Sequence, residues 1–207
     1  MYKGLIVALI GGLLGAALWA AIAFFAHAEL GILACGIGVA VGGGMYLGAR
    51  DEANGISGIV CCIIALGAIA LGKFGAVHFA VAQVVKEHPV AITLDDAKIE
   101  FADQIVEEYE AHGKALKWPD GISVENAQRP EDYPKDLWKD VEKRWATLTP
   151  EEQESRRANI ELHAKAAMKM AASGATQQAF IASFDFLDIL WAGLAVFSAY
   201  RLGSGGD

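Results

Sequence analysis

The chain has 207 residues, of which 54% are hydrophobic and 20% charged, with 23 glycines, a mean hydropathy of +0.33 and a net charge of −8. So large an apolar share needs a solvent other than water, and a net-acidic chain lacks the basic surface that binding to phosphate backbones requires. These figures argue against an ordinary soluble domain and against a nucleic-acid partner, and they point to the lipid bilayer.

The charges are unevenly placed. Outside residues 86–177 the basic residues are Lys3, Arg50, Lys73 and Arg201, and the acids are Glu29, Asp51, Glu52, Asp185, Asp188 and Asp207. The chain therefore divides into a Gly-rich region of three spans (1–85), a net-acidic helical soluble domain (86–177), and a fourth span with a short tail (178–207). The expected fold is all-α: an integral membrane protein with four transmembrane helices and a helical extramembrane domain between the third and fourth.

Taken in chain order, "GLIVALIGGLLGAALWAAIAFFA" (residues 4–26) reaches the ~20 apolar residues that cross a ~30 Å hydrocarbon core. The "AHA" at residues 26–28 imitates a signal-peptidase site. The run before it nevertheless exceeds the ~7–15 residues of a signal-peptide core, so an uncleaved anchor is expected. A short turn at residues 27–30 leads into the second span, which ends at Arg50, and "DEANG" at residues 51–55 is the next turn. The third span starts near Ile56, is longer than a bilayer requires, and carries Lys73 and His78 in its second half.

With four spans, Lys3, Arg50 and Arg201 share one face, which the positive-inside tendency assigns to the cytoplasm. The expected location is the cell inner (plasma) membrane, with both termini cytoplasmic and residues 86–177 periplasmic or extracellular. The basic residues of that domain do not oppose this, because loops longer than ~60 residues cross largely regardless of charge.

The soluble domain reads as helices. "LDDAKIEFADQIVEEYEAHG" has acids in its first turn, Ile99, Ala102, Ile105, Val106 and Tyr109 at helical spacing, and Gly113 as a stop. "YPKDLWKDVEKRWATL" puts Leu137, Val141, Trp145 and Leu148 on one stripe, with Pro134 in the first turn. "TPEEQ" offers Thr149 as a cap, Pro150 at the first helical position, and two glutamates where the helix dipole favours them. That third helix is expected to end near Ala172, with Ser173 and Gly174 leading into the last span.

Chemistry-bearing patterns are sparse. His88, His112 and His163 lack the spacing of a zinc helix motif, and no Walker-type loop occurs. Glu107, Glu108 and Glu110 read as a solvated helix face, and Trp118, Trp138 and Trp145 as core or docking anchors. Cys35, Cys61 and Cys62 all fall within spans and read as small apolar residues. "GIGVAVG" (residues 36–42) imitates a dinucleotide fingerprint but lies inside a hydrophobic span and not after a strand. No catalytic residue, metal site or cofactor is expected.

Two features remain. Gly11 with Gly15, Gly38 with Gly42, and Gly44 with Gly48 form flat strips suited to close helix packing, within the hairpin of the first two spans and by self-association. "FDFLDIL" (residues 184–190) sets Asp185 and Asp188 inside the apolar stretch 179–200. Drawn as one continuous helix, that stretch places Ile181, Asp185, Asp188, Ala192, Ala195 and Ala199 on one face, with Asp188 near the bilayer centre. A bare carboxylate there costs ~2.5–3.5 kcal/mol even on the lenient scale, so a partner or a proton is required. By matching depth, Lys73 is expected to pair with Asp185.

"GILACGIGVAVGGGMYLGAR" (31–50) and "FDFLDILWAGLAVFSAYRLG" (184–203) are similar to segments of a family of bacterial polytopic membrane proteins of about four spans that has no known activity. The resemblance implies the membrane architecture and no catalytic residue. Three function classes follow: a non-enzymatic membrane protein that self-associates or scaffolds other membrane proteins, a proton or cation channel or transporter subunit using Asp185 and Asp188, and a membrane-bound enzyme or accessory subunit.

Overall fold

The computed structural model describes residues 1–26 and 31–205; the turn expected at 27–30 lies outside them. Among the described residues seven α-helices follow one another: α1 (Tyr2–Ala26), α2 (Ile32–Ala49), α3 (Gly55–Glu87), α4 (Leu94–Ala111), α5 (Lys135–Thr147), α6 (Pro150–Ala182) and α7 (Phe186–Gly203). Single 3-10 turns occupy Arg50–Glu52 and Pro130–Asp132, and no strand occurs among the described residues. Among the described residues four segments are long and apolar enough to cross a membrane: Tyr2–Phe25, Ile32–Glu52, Gly55–Glu87 and Phe186–Gly203. Two compact units emerge, one of Met1–His88 with Ala171–Asp207, the other of Pro89–Met170.

In the first unit α2 and α3 each pack on both α1 and α7 and touch one another, leaving α1 and α7 at the far corners of a four-helix bundle. Its interior is built from small residues: Ala8, Ala16, Ala34, Cys61, Ala65, Ala195 and Ala199 are buried beside Ile37, Val41 and Met45. Large apolar side chains such as Leu13, Leu14, Ile63, Leu187, Ile189 and Phe197 point outward. This is the reverse of a water-soluble bundle. It is the arrangement expected where lipid solvates the outside and helix association depends on close backbone approach.

The six strip glycines all serve these internal contacts. A Cβ on Gly11 would meet the carbonyl oxygen of Ala40 at 2.8 Å, one on Gly15 would meet the Ile37 side chain at 2.7 Å, and one on Gly44 would meet the Val7 backbone at 3.0 Å. Gly48 faces the backbone of Lys3 and Gly4. Gly38 and Gly42 face α7 at the Ala195 and Ala199 carbonyls.

One end of the bundle gathers helix termini. The Met1 ammonium pairs with Glu52, and the Ser57 hydroxyl donates to the Gly203 carbonyl at 2.7 Å. Asn54 caps α3, its side chain accepting from the Ile56 and Ser57 N–H groups. Lys3, Arg50 and Arg201 therefore share this end.

The second unit forms around Ala102, Ile105, Val106, Tyr133, Leu137 and Val141. Helix α4 starts at a Thr93–Asp96 capping box, and the chain leaves it through Gly113 at φ 67, a left-handed conformation that suits glycine. Pro134 precedes α5 as its N-cap, one position earlier than the sequence pattern suggests, and the Thr149 hydroxyl accepts the Glu152 N–H at 3.2 Å at the start of α6. The Tyr133 ring lies between Trp118 and Trp138, with centroids 5.7 and 5.5 Å away, and its hydroxyl donates to Asp103 at 2.6 Å.

Helix α6 corrects the expected boundary. It continues through Ser173 and Gly174 to Ala182. A single helical glycine costs only about 1 kcal/mol, and Thr176 bonds back to the Ala172 carbonyl at 2.8 Å, so nothing local stops the helix there. The break falls instead at residues 183–185, inside the stretch that reads from sequence as one continuous span.

Candidate functional site

The break creates the most unusual environment in the bundle. Asp185 takes an extended conformation (φ −122, ψ 179) and caps α7: its Oδ1 accepts the Asp188 N–H at 2.9 Å, while Asp188 Oδ2 accepts the Asp185 N–H at 2.9 Å. The spacing of three that poses the puzzle in the sequence is thus the spacing of a capping box, with aspartates in both places. In an apolar surrounding the free N–H groups of a helix start have no water to bond, and these carboxylates satisfy them from within.

Lys73 reaches this junction from α3. Its side chain is only 2% exposed, yet its Nζ lies 2.6 Å from Asp188 Oδ2 and donates at 2.6 Å to the Ser183 carbonyl, which follows the last turn of α6. The Phe184 ring sits 4.8 Å from the ammonium. Each contact suits the field at its helix end: a cation beside the carbonyls that finish α6, an anion in the first turn of α7. No buried side-chain N or O atom among the described residues is left without a hydrogen bond.

Lys73 therefore pairs with Asp188, while the expected partner, Asp185, acts as the cap and stands exposed. The face drawn for the last span holds within α7, where Ala195 and Ala199 are buried behind Asp188. It does not extend to Ile181, which belongs to α6 and is 64% exposed. Asp188 is the third residue of α7 and not its middle. Lys73 lies about 24 Å along α3 from Ser57 at 1.5 Å per residue, which puts the pair toward the end of the apolar zone opposite the basic termini. A D-x-x-D before an apolar run is itself a cap signature, and that was the signal available in the sequence for the break.

The other candidates stay apart. Cys61 is buried against Gly203, with its Sγ 3.9 Å from the Val41 carbonyl, and Cys35, Cys61 and Cys62 are free thiols. In the second unit Glu107, Glu108 and Glu110 are exposed, and Arg144 pairs with Glu108 at 2.7 Å and holds that carboxyl below its usual range. His88 and His112 place Nδ1 3.0 and 2.6 Å from the carbonyl four residues earlier, at helix ends. Among the described residues no three His, Cys, Asp or Glu side chains converge as a metal site would need. No family model, curated protein or solved structure matches the chain.

Proposed function

We propose that the chain is a non-enzymatic integral membrane scaffold, whose four spans anchor a helical domain that docks a neighbouring copy or another membrane protein. The observation that carries this reading is the Lys73–Asp188–Ser183 junction. The buried charge of the bundle is spent on fixing the two helix ends through which the chain returns from its extramembrane domain. The six strip glycines are likewise engaged within the bundle, so the docking role falls mainly to residues 89–170.

In the proposed topology both termini lie in the cytoplasm, in the inner (plasma) membrane of a bacterial cell, and the central domain lies on the far side. The gathering of Lys3, Arg50 and Arg201 at one end supports it, as do Tyr2, Tyr46 and Tyr200, which stand exposed at that same end as an interfacial aromatic belt would. Native mass spectrometry of the full chain, extracted gently from its own membrane, tests the scaffold: a closed homo-oligomer or stoichiometric partner chains are expected. A lone monomer, with no crosslinked species trapped in intact membranes, refutes it.

A second reading, a proton or cation pathway, draws on one observation. The Asp188 side chain retains 18% exposure at a helix break within the apolar zone, a position where membrane carriers place coordinating groups. It requires that Asp188→Asn abolish an ion flux in reconstituted vesicles while the protein still assembles, and unchanged flux removes it.

A further inference from the structure

At the basic end of the bundle, a crevice of about 510 Å³ opens where α2 and α7 finish, lined by Tyr46, Leu47, Arg50, Asp51, Ala53 and Ser204 with Gly205. We infer that this crevice binds the headgroup of an amine-bearing zwitterionic phospholipid, with Arg50 holding the phosphodiester and Asp51 the ammonium. The inference rests on the bilayer placement proposed above, which puts this end of the bundle at headgroup depth.

Three features support it. Arg50 is the one non-glycine among the described residues with positive φ (47°), a conformation that disfavours L side chains and persists only where the surroundings impose it. Its backbone N–H bonds the Tyr46 carbonyl to close α2, so the strained residue is itself part of the crevice wall. Second, Arg50 and Asp51 are exposed and have no ion pair among the described residues, while the adjacent Glu52 is taken by the Met1 ammonium. Opposite charges thus stand side by side on one wall.

Third, the crevice lies at the C-terminal ends of two helices, where the terminal carbonyls favour a cation. The start of α3 beside Ala53 favours an anion, and the two fields together suit a headgroup that carries its own ammonium beside the phosphate. Below it Leu47, 71% exposed, offers an apolar flank for an acyl chain.

The test is competition in mixed micelles containing equal amounts of phosphatidylethanolamine, phosphatidylcholine and phosphatidylglycerol, with lipids retained on the full-length protein read by native mass spectrometry. Phosphatidylethanolamine should dominate, because a trimethylated ammonium cannot donate hydrogen bonds and a glycerol headgroup carries no ammonium. Arg50→Gln should lower its retention about tenfold, the loss of one charge-assisted hydrogen bond, and Asp51→Asn should erase the preference over phosphatidylcholine. Phosphatidylglycerol retained as well as or better than phosphatidylethanolamine by the unaltered protein would overturn the inference, without relying on any variant. Alkaline carbonate extraction of the cell membranes from which the protein is purified separates the two levels: a chain washed into the supernatant defeats the bilayer placement, whereas one that stays in the pellet but shows no headgroup preference defeats the crevice alone.

Discussion

The Nζ of Lys73 and the Oδ2 of Asp188 lie 2.6 Å apart, and that same carboxylate oxygen accepts the N–H of Asp185 at 2.9 Å. One oxygen therefore serves a tertiary ion pair and one of the two bonds of the local helix cap, while the other cap bond, from the Asp188 N–H to Asp185 Oδ1, does not involve it.

Asp188→Asn is expected to cost more than Lys73→Met. The first takes the Asp188 charge away from an ammonium only 2% exposed, whereas the second leaves a carboxylate that is 18% exposed and still accepts the Asp185 N–H. Removing one member of a buried pair costs ~3–5 kcal/mol, and that figure is the upper bound for the asparagine variant, because the ammonium keeps the Ser183 carbonyl. Thermal unfolding midpoints in one detergent check the order, and a lysine variant that unfolds first would refute this account.

Asp185→Ala removes only one half of the cap, the bond from the Asp188 N–H. A loss of about 1 kcal/mol is expected, with the Lys73–Asp188 pair preserved, since the carboxylate of Asp185 takes no part in it. Double-mutant cycles between Asp185→Ala and Lys73→Met measure the separation directly. A coupling as large as the single effects would mean that cap and pair are one unit.

Gly38→Ala drives a Cβ into the Ala195 carbonyl of α7 and should destabilise the bundle by ~1–3 kcal/mol, the usual cost of overpacking. Gly36→Ala meets nothing within 4 Å and should be neutral or stabilising by up to ~1 kcal/mol, since alanine is the better helix former. Should both behave alike in unfolding or in crosslinking between α2 and α7, the close approach of those helices would be refuted.

Acid should loosen the second unit. Hydrogen bonds from Thr93 hold Asp96 below its usual range, Arg144 does so for Glu108, Arg157 for Glu154, and Lys165 with Arg157 for Glu161. A carboxylate with a depressed folded pKa contributes stability that is present above its unfolded value and lost as pH falls through the folded one. Burial pushes Asp103 the other way, so its contribution is largest at low pH and fades as pH rises through its raised value. With Glu152, which hydrogen bonds from Thr149 also hold low, five depressed carboxylates outnumber one raised one, and the unfolding midpoint should drop as pH falls below about 4, where ordinary Asp and Glu side chains protonate. Circular dichroism melts from pH 6 to pH 3 read this, and a midpoint that rises would show Asp103 to dominate.

Most of the architecture was legible because it depends on local signals. Span length, the acidic helix starts, Gly113 and the Thr149–Pro150 cap each act within a few residues, and the helices begin and end close to them. The break at 183–185 was harder to read. Hydropathy averages over Asp185 and Asp188, and the interaction that satisfies the end of α6 comes from Lys73, 110 positions away in the chain. The partner choice was missed for the same reason, since matching depths on an assumed continuous helix favours Asp185, and ending that helix earlier brings Asp188 into reach.

The inverted packing of the bundle, small residues within and large ones without, also bears on how the chain tolerates change. In the bilayer placement proposed above, lipid accepts almost any apolar side chain, so positions such as Leu13, Ile63 and Phe197 can be exchanged freely among hydrophobic types. Gly11, Gly38 and Gly48 admit no such exchange, because a Cβ there runs into the backbone of a neighbouring helix. The specification of this fold is concentrated in its smallest side chains, and a shuffled sequence with the same hydropathy profile would still enter a membrane without folding there.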